Sequence, residues 1–230
     1  MASATLMTYF LLSITNTCNK SCEYCVVKPW LNNPEYPDKA TAEDFISFLE
    51  KEMQPDDIVE LTGGEPTLFP NLLLLLEWLK EHGARVIMRT NGFKLGAWRK
   101  DFPNMIVVLA RHDSDDEYMT ERRVHLLEYD VVSEKIPEGA EQTEPNMPVH
   151  IKSELYPLDS HGIKRALFIT NDGNIKFMPC MDVSMGNIID LNYNLNQWDC
   201  ISMSRCPYML GAWNLITKLE QTNWNSVPTN

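Results

Sequence analysis

No secretory leader is expected, because Met1–Met7 has little of what one needs: neither the basic start nor the long apolar core. The first apolar run, Phe10–Ile14, is far too short to span a bilayer. Positive charge is also scarce. Lys and Arg number 20 against 32 Asp and Glu, a net charge of −12, which argues against a bare nucleic-acid backbone as partner. No internal repeat and no low-complexity tract interrupts the 230 residues, a length that suits one domain with a substantial core plus an extension. Without a leader, the six cysteines are not read as three disulfides. The expected location is a reducing cytoplasm, where clustered cysteines more often do metal or redox work.

Three of those cysteines are close together. Cys18, Cys22 and Cys25 have the spacing C-x3-C-x2-C and follow an apolar stretch, residues 8–14, that reads as a strand covered on both faces. The thiols therefore sit on the loop leaving a strand's C-terminal end, the end where parallel α/β folds bind ligands. Three thiolates suit a soft metal centre. On a four-iron cluster they would leave one iron open to an outside ligand. Zinc prefers four protein ligands, commonly in paired C-x2-C units, which this triplet does not supply. A zinc-binding structural or interaction module is the non-enzymatic alternative.

Strand and helix patterns alternate along the first two thirds. Thr41 and Asp44 form a capping box ahead of Phe45, Phe48, Leu49 and Met53 at helical spacing. Strands are expected at 58–62, 85–88, 105–109, 129–133 and 149–155, with a helix after Pro70 and Asn71 closed by Gly83, and a short helix near 95–100. Ser114 reads as a further N-cap. The alternation predicts a parallel sheet. From about Leu158 the pattern changes. Segments 165–169 and 174–178 flank Asn171-Asp172-Gly173, a hairpin signal, and helices follow near 195–203 and 209–219.

The cysteine spacing, with Tyr24 just before the last thiol, resembles the signature of the radical S-adenosylmethionine (radical SAM) enzymes. Gly63-Gly64-Glu65-Pro66, after the strand Ile58–Thr62, resembles the family's GGEP motif, and Thr90-Asn91-Gly92 is a weaker third match. The resemblance implies an α/β partial (β/α)6 TIM-like barrel over residues 1–157, followed by a β-hairpin plus helix extension over 158–230. It implies a 4Fe–4S cluster on Cys18, Cys22 and Cys25, with S-adenosylmethionine chelated at the open iron and cleaved reductively to a 5′-deoxyadenosyl radical that abstracts a hydrogen atom from substrate.

Cofactor contacts are expected from Tyr24, Gly63, Gly64, Glu65, Pro66, Thr90, Asn91 and Arg111. Glu65 either meets the cofactor ammonium or orders its loop. Thr90 and Asn91 either contact the cofactor or form a simple turn. Arg111 stands where relatives carry a small ribose-binding residue, and its guanidinium suits the cofactor carboxylate or a substrate. No match to the family's fifth-strand glycine motif is found.

Cys180, Cys200 and Cys206 lie in a tail that resembles SPASM or twitch extensions, which hold auxiliary iron–sulfur clusters. With three cysteines and no dense C-x2-C pair, the tail is either a single auxiliary cluster site or an eroded one. Such extensions suggest a ribosomally made peptide as substrate, with a separate leader-recognition protein. A small metabolite such as a sugar or nucleoside is the alternative. An external one-electron donor of flavodoxin or ferredoxin type is implied, and no nucleic acid or membrane partner.

Overall fold

A computed structural model of the protein describes residues 7–22, 25, 29–110, 131–133, 163–177 and 184–195. The elements run β1 (Met7–Thr15), α1 (Ala42–Glu52), β2 (Ile58–Gly63), α2 (Leu72–Glu81), β3 (Arg85–Thr90), α3 (Leu95–Arg99), β4 (Ile106–Ala110), β5 (Val131–Ser133), β6 (Ile163–Ile169), β7 (Asn174–Phe177), β8 (Ser184–Asn187) and β9 (Asn192–Tyr193). Among the described residues one open nine-stranded sheet has the order β5-β4-β3-β2-β1-β6-β7-β8-β9. Every pairing from β5 through β1 to β6 is parallel, and the pairings from β6 to β9 are antiparallel.

This is the expected α/β architecture with six parallel strands, with one revision. The sixth parallel strand among the described residues is β6, which the sequence pattern assigns to a hairpin of the extension. The hairpin is there, with β6 and β7 flanking the Asn171–Gly173 turn, but β6 also pairs along the free edge of β1. A hairpin announces itself through its turn residues. A parallel pairing with a strand some 150 residues upstream leaves no local mark. The segment 149–155, the helix after Ser114, the C-terminal helices and the boundary expected between 157 and 158 lie outside the described residues.

Strand register divides the side chains between two faces. Phe10, Leu12, Val59, Leu61 and Met88 share one face, fully buried. It is covered by α1, whose Phe48 ring meets Phe10 edge-on at 6.0 Å. Thr41 caps α1 through the expected reciprocal bonds with Asp44. In α2 the buried face is Leu72, Leu75, Leu76 and Leu79, while Leu73 and Leu74 face solvent. The helix is thus amphipathic, and its five-leucine run serves packing on one side only. Tyr9, Leu11, Ser13, Glu60, Thr62, Ile87 and Arg89 share the opposite face of the sheet. Because β1, β2 and β3 are parallel, the cysteine loop, Gly63–Pro66 and Thr90–Gly92 all leave the same edge. Among the described residues no helix is long and apolar enough to cross a membrane.

Candidate active site

Cys18, Cys22 and Cys25 are reduced thiols, each half-buried, on the loop that follows β1. The loop is held from several sides. Asn32, in a left-handed conformation at φ 52°, accepts a hydrogen bond from Cys18 N at 3.0 Å and returns one from Nδ2 to Cys18 O at 2.9 Å. Its own N–H donates to Asn16 O at 3.0 Å. The Lys20 backbone N–H points at Cys18 Sγ, 3.4 Å away, a donor that favours the thiolate. Burial nevertheless pushes the Cys18 thiol above its ordinary range, and Glu65, Cys22 and Cys25 add electrostatically in the same direction. Binding a metal here therefore releases protons.

At the loop's entrance Asp38 collects three donors. Its Oδ1 accepts from Asn16 N at 2.7 Å and from Asn171 Nδ2 at 2.8 Å, and its Oδ2 accepts from the Thr15 hydroxyl. Asn171 belongs to the β6–β7 turn, and its carbonyl accepts from Lys39 N and Ala40 N, both at 2.9 Å. The turn of the distant hairpin thus ties together the two ends of the cysteine loop.

Gly63 and Gly64 let the β2 exit touch that same loop. Gly64 N donates to Thr15 O at 2.6 Å and Glu65 N to Thr17 O at 2.8 Å. A Cβ on Gly63, at φ +128°, would lie 2.4 Å from Thr15 O, and one on Gly64 would lie 2.3 Å from Thr17 O. No other residue fits this approach. Glu65, fully buried, orders its loop: Oε1 accepts from Thr67 N (3.1 Å), Thr67 Oγ1 (2.7 Å) and Thr90 Oγ1 (2.6 Å), and Oε2 from Asn91 N (2.8 Å). Pro66 opens a single 3-10 turn, Pro66–Leu68. Thr90 also accepts from Gly92 N at 2.9 Å, and Asn91 Nδ2 donates to Asn19 Oδ1 in the cysteine loop at 2.9 Å. The three motifs found in the sequence are therefore one hydrogen-bonded unit at the C-terminal edge of β1, β2 and β3. Thr90 and Asn91 act in it as ties between loops.

One grouping had no sequence signal. On the face opposite α1, the Tyr9 hydroxyl donates to Glu60 Oε2 and Arg89 Nε donates to Glu60 Oε1. Tyr9 and Glu60 are 1% exposed. Burial, then the Glu60 charge, raises the Tyr9 phenol well above its ordinary range, so it remains a donor. Burial disfavours the Arg89 cation, but the Glu60 charge and hydrogen bond outweigh it and hold the guanidinium above its ordinary range. Nothing in a strand pattern says that residues 9, 60 and 89 meet. Asp38, Asn32 and the tie of the Asn171 turn to the cysteine loop escaped sequence reasoning for the same reason, although Asn-rich loops are a general sign of side-chain-to-backbone ties.

Among the described residues no group of three His, Cys, Asp or Glu is arranged as a ready-made metal site. The chemistry of the donors still fits an iron–sulfur cluster: three thiols on one short loop, close enough for Cys22 and Cys25 to perturb Cys18. Tyr24, Arg111, Cys180, Cys200 and Cys206 lie outside the described residues.

Residues 12–115 match the family model described as the Radical SAM superfamily. The chain is similar to the GTP 3',8-cyclase of Campylobacter jejuni, with 27% identity over 99 residues that cover 42% of this chain and 31% of that protein. It is 30% identical over 90 residues to molybdenum cofactor biosynthesis protein 1 of Bos taurus, covering 38% of this chain and 14% of that one. The chain thus aligns with less than a third of the length of these relatives. A solved structure of BtrN in complex with AdoMet and 2-DOIA is 18% identical, with a TM-score of 0.47 over 82% of this chain and 81% of that one. The part of the chain that is similar to the Radical SAM superfamily, residues 12–115, is the part that carries the three thiols, the Gly63–Pro66 turn and the Thr90–Gly92 tie.

Proposed function

We propose that this chain is a radical SAM enzyme that holds a 4Fe–4S cluster on Cys18, Cys22 and Cys25 and binds S-adenosylmethionine against Gly63–Pro66. The supporting observation is the hydrogen-bonded union of the two motif loops: Gly64 N to Thr15 O and Glu65 N to Thr17 O. When bound, the cluster and cofactor supply reductive cleavage of the sulfonium and hydrogen-atom abstraction from substrate. The chain's own part is placement. Asn32 and Asp38 hold the backbone on both sides of Cys18. The two glycines let the end of β2 lie directly against the Thr15 and Thr17 carbonyls of the cysteine loop. Glu65, with its carboxylate taken up by Thr67, Thr90 and Asn91, keeps that backbone rigid; the resemblance puts the cofactor's amino group there.

The matched stretch in the curated relatives is under half of this chain and holds the cofactor side of the site, so the substrate is read from elsewhere. The similarity to a GTP 3',8-cyclase favours a nucleotide-sized metabolite. The peptide substrate, its leader-recognition partner and the auxiliary cluster rest on the tail with Cys180, Cys200 and Cys206. The electron donor is proposed to be a flavodoxin or ferredoxin. Anaerobic reconstitution with iron and sulfide, followed by reduction with S-adenosylmethionine present, tests the central claim. The expected result is a brown protein that releases 5′-deoxyadenosine, with both properties lost in Cys22→Ala. A colourless chain with stoichiometric zinc overturns it. Turnover of a free metabolite by the isolated enzyme would decide against the peptide reading.

A further inference from the structure

The face of the sheet opposite α1 runs up to the edge that carries the motif loops. On β2, Ile58 and Glu60 are buried and Thr62 is half-buried; on β3, Ile87 is buried and the Arg89 side chain is 37% exposed. Arg89 is the last residue on this face before the Thr90–Asn91 tie, so it stands beside the site at its inner rim. Its guanidinium is held from one side. Nε donates to Glu60, whose other oxygen is occupied by the Tyr9 hydroxyl, and the phenol lies beside the same guanidinium.

A guanidinium has five N–H donors; among the described residues one meets Glu60 and at most one the Tyr9 oxygen, which leaves about three for other partners. A half-exposed cation anchored to a buried carboxylate contributes little to stability, because the desolvation of the pair offsets its attraction. The same arrangement does something else well. It restrains the plane of the guanidinium through Nε, whose bond to Glu60 leaves the end carrying the two η nitrogens outside that bond. That end matches a carboxylate or phosphate.

The geometry points to Arg89 as the residue that takes an anionic group of the substrate, a carboxylate or phosphate, with Glu60 and Tyr9 as its positioning residues. This rests on the proposed function for the word substrate, since it places the anion at the inner rim of the same site. The chain's net charge is −12, so an anionic substrate gains from a dedicated cation at this point.

The test is calorimetric titration of the anaerobically reconstituted chain with inorganic phosphate and, separately, with malonate. S-adenosylmethionine affinity is measured on the same samples. Wild type is expected to bind at least one of the two anions saturably, and Arg89→Gln to lose about tenfold or more of that affinity, as removal of charge-assisted hydrogen bonds does. Arg89→Lys, a point charge without the fork, is expected to fall between them. S-adenosylmethionine affinity should stay within about twofold in all three, on the scale where tenfold is a full lost contact. The double variant Glu60→Gln/Arg89→Gln, which leaves no buried carboxylate without its cation, should keep the wild-type circular dichroism and still lack the anion site.

Failure of wild type to bind either anion, or equal binding by Arg89→Gln, overturns the inference. So does a tenfold loss of S-adenosylmethionine affinity in Arg89→Gln, which would assign the guanidinium to the cofactor carboxylate. Iron and sulfide content separate this from the reading it rests on. A colourless chain whose anion binding still depends on Arg89 keeps the anion site and removes the radical chemistry.

Discussion

Replacing Asp38 should expose how much of the site's rigidity comes from the far hairpin. In wild type its carboxylate takes Asn16 N at 2.7 Å, Asn171 Nδ2 at 2.8 Å and the Thr15 hydroxyl. Thr15 is fully buried and Asn171 is 8% exposed, while Asp38 itself is half-buried. A hydrogen bond to a charged group contributes about 1.5–3 kcal/mol when its loss leaves a buried partner unsatisfied. Water can reach part of this site, so about 1 kcal/mol for each bond is the better figure, or roughly 3 kcal/mol for Asp38→Ala. For a chain of this size that corresponds to a fall in Tm of about 6–12 °C.

Asp38→Asn should behave differently. Its amide oxygen can stay on Asn16 and Asn171, and its NH2 can donate to the Thr15 hydroxyl, which reverses its role. The cost should be about 1 kcal/mol, the loss of charge assistance. Urea unfolding of both variants under anaerobic conditions measures the difference, and iron per chain after reconstitution reports whether the cysteine loop still closes. Equal stability of the two variants within about 0.5 kcal/mol, a difference below one ordinary hydrogen bond, would refute the reasoning.

Three further outcomes follow from the same geometry. Gly64→Ala puts a Cβ 2.3 Å from Thr17 O, so the two motif loops must part; S-adenosylmethionine binding by equilibrium dialysis should be lost, and retained affinity would contradict the close approach. Glu65→Gln turns one acceptor into a donor facing Thr90 and Thr67 or Asn91, and should cost about 2 kcal/mol in chemical denaturation. Tyr193, its phenol pushed up to about 12 by burial and then by Glu52, keeps its proton in the folded state after the unfolded chain has lost it near pH 10. The folded state then binds more protons, so this residue's contribution is constant below pH 10 and declines between about pH 10 and 12. Tyr193→Phe should flatten that part of the stability profile, and a phenol at position 193 titrating near pH 10 by ultraviolet absorbance would contradict the assignment.

Local chemistry was legible in the sequence because local spacing carries it. The C-x3-C-x2-C loop, the glycine pair after β2, the Thr41 capping box and the Asn171–Gly173 turn each consist of residues that interact within a few positions. So was the parallel α/β class, since it follows from the alternation of periods along the chain. The order of strands was decided by the folded sheet alone. β6 joins β1 by backbone hydrogen bonds that any side chains of suitable shape permit, and the join brings Asn171 to Asp38, 133 positions away. The same holds for Tyr9, Glu60 and Arg89. Each sits on a different strand, and a buried carboxylate looks like any other glutamate until the register places a phenol and a guanidinium beside it.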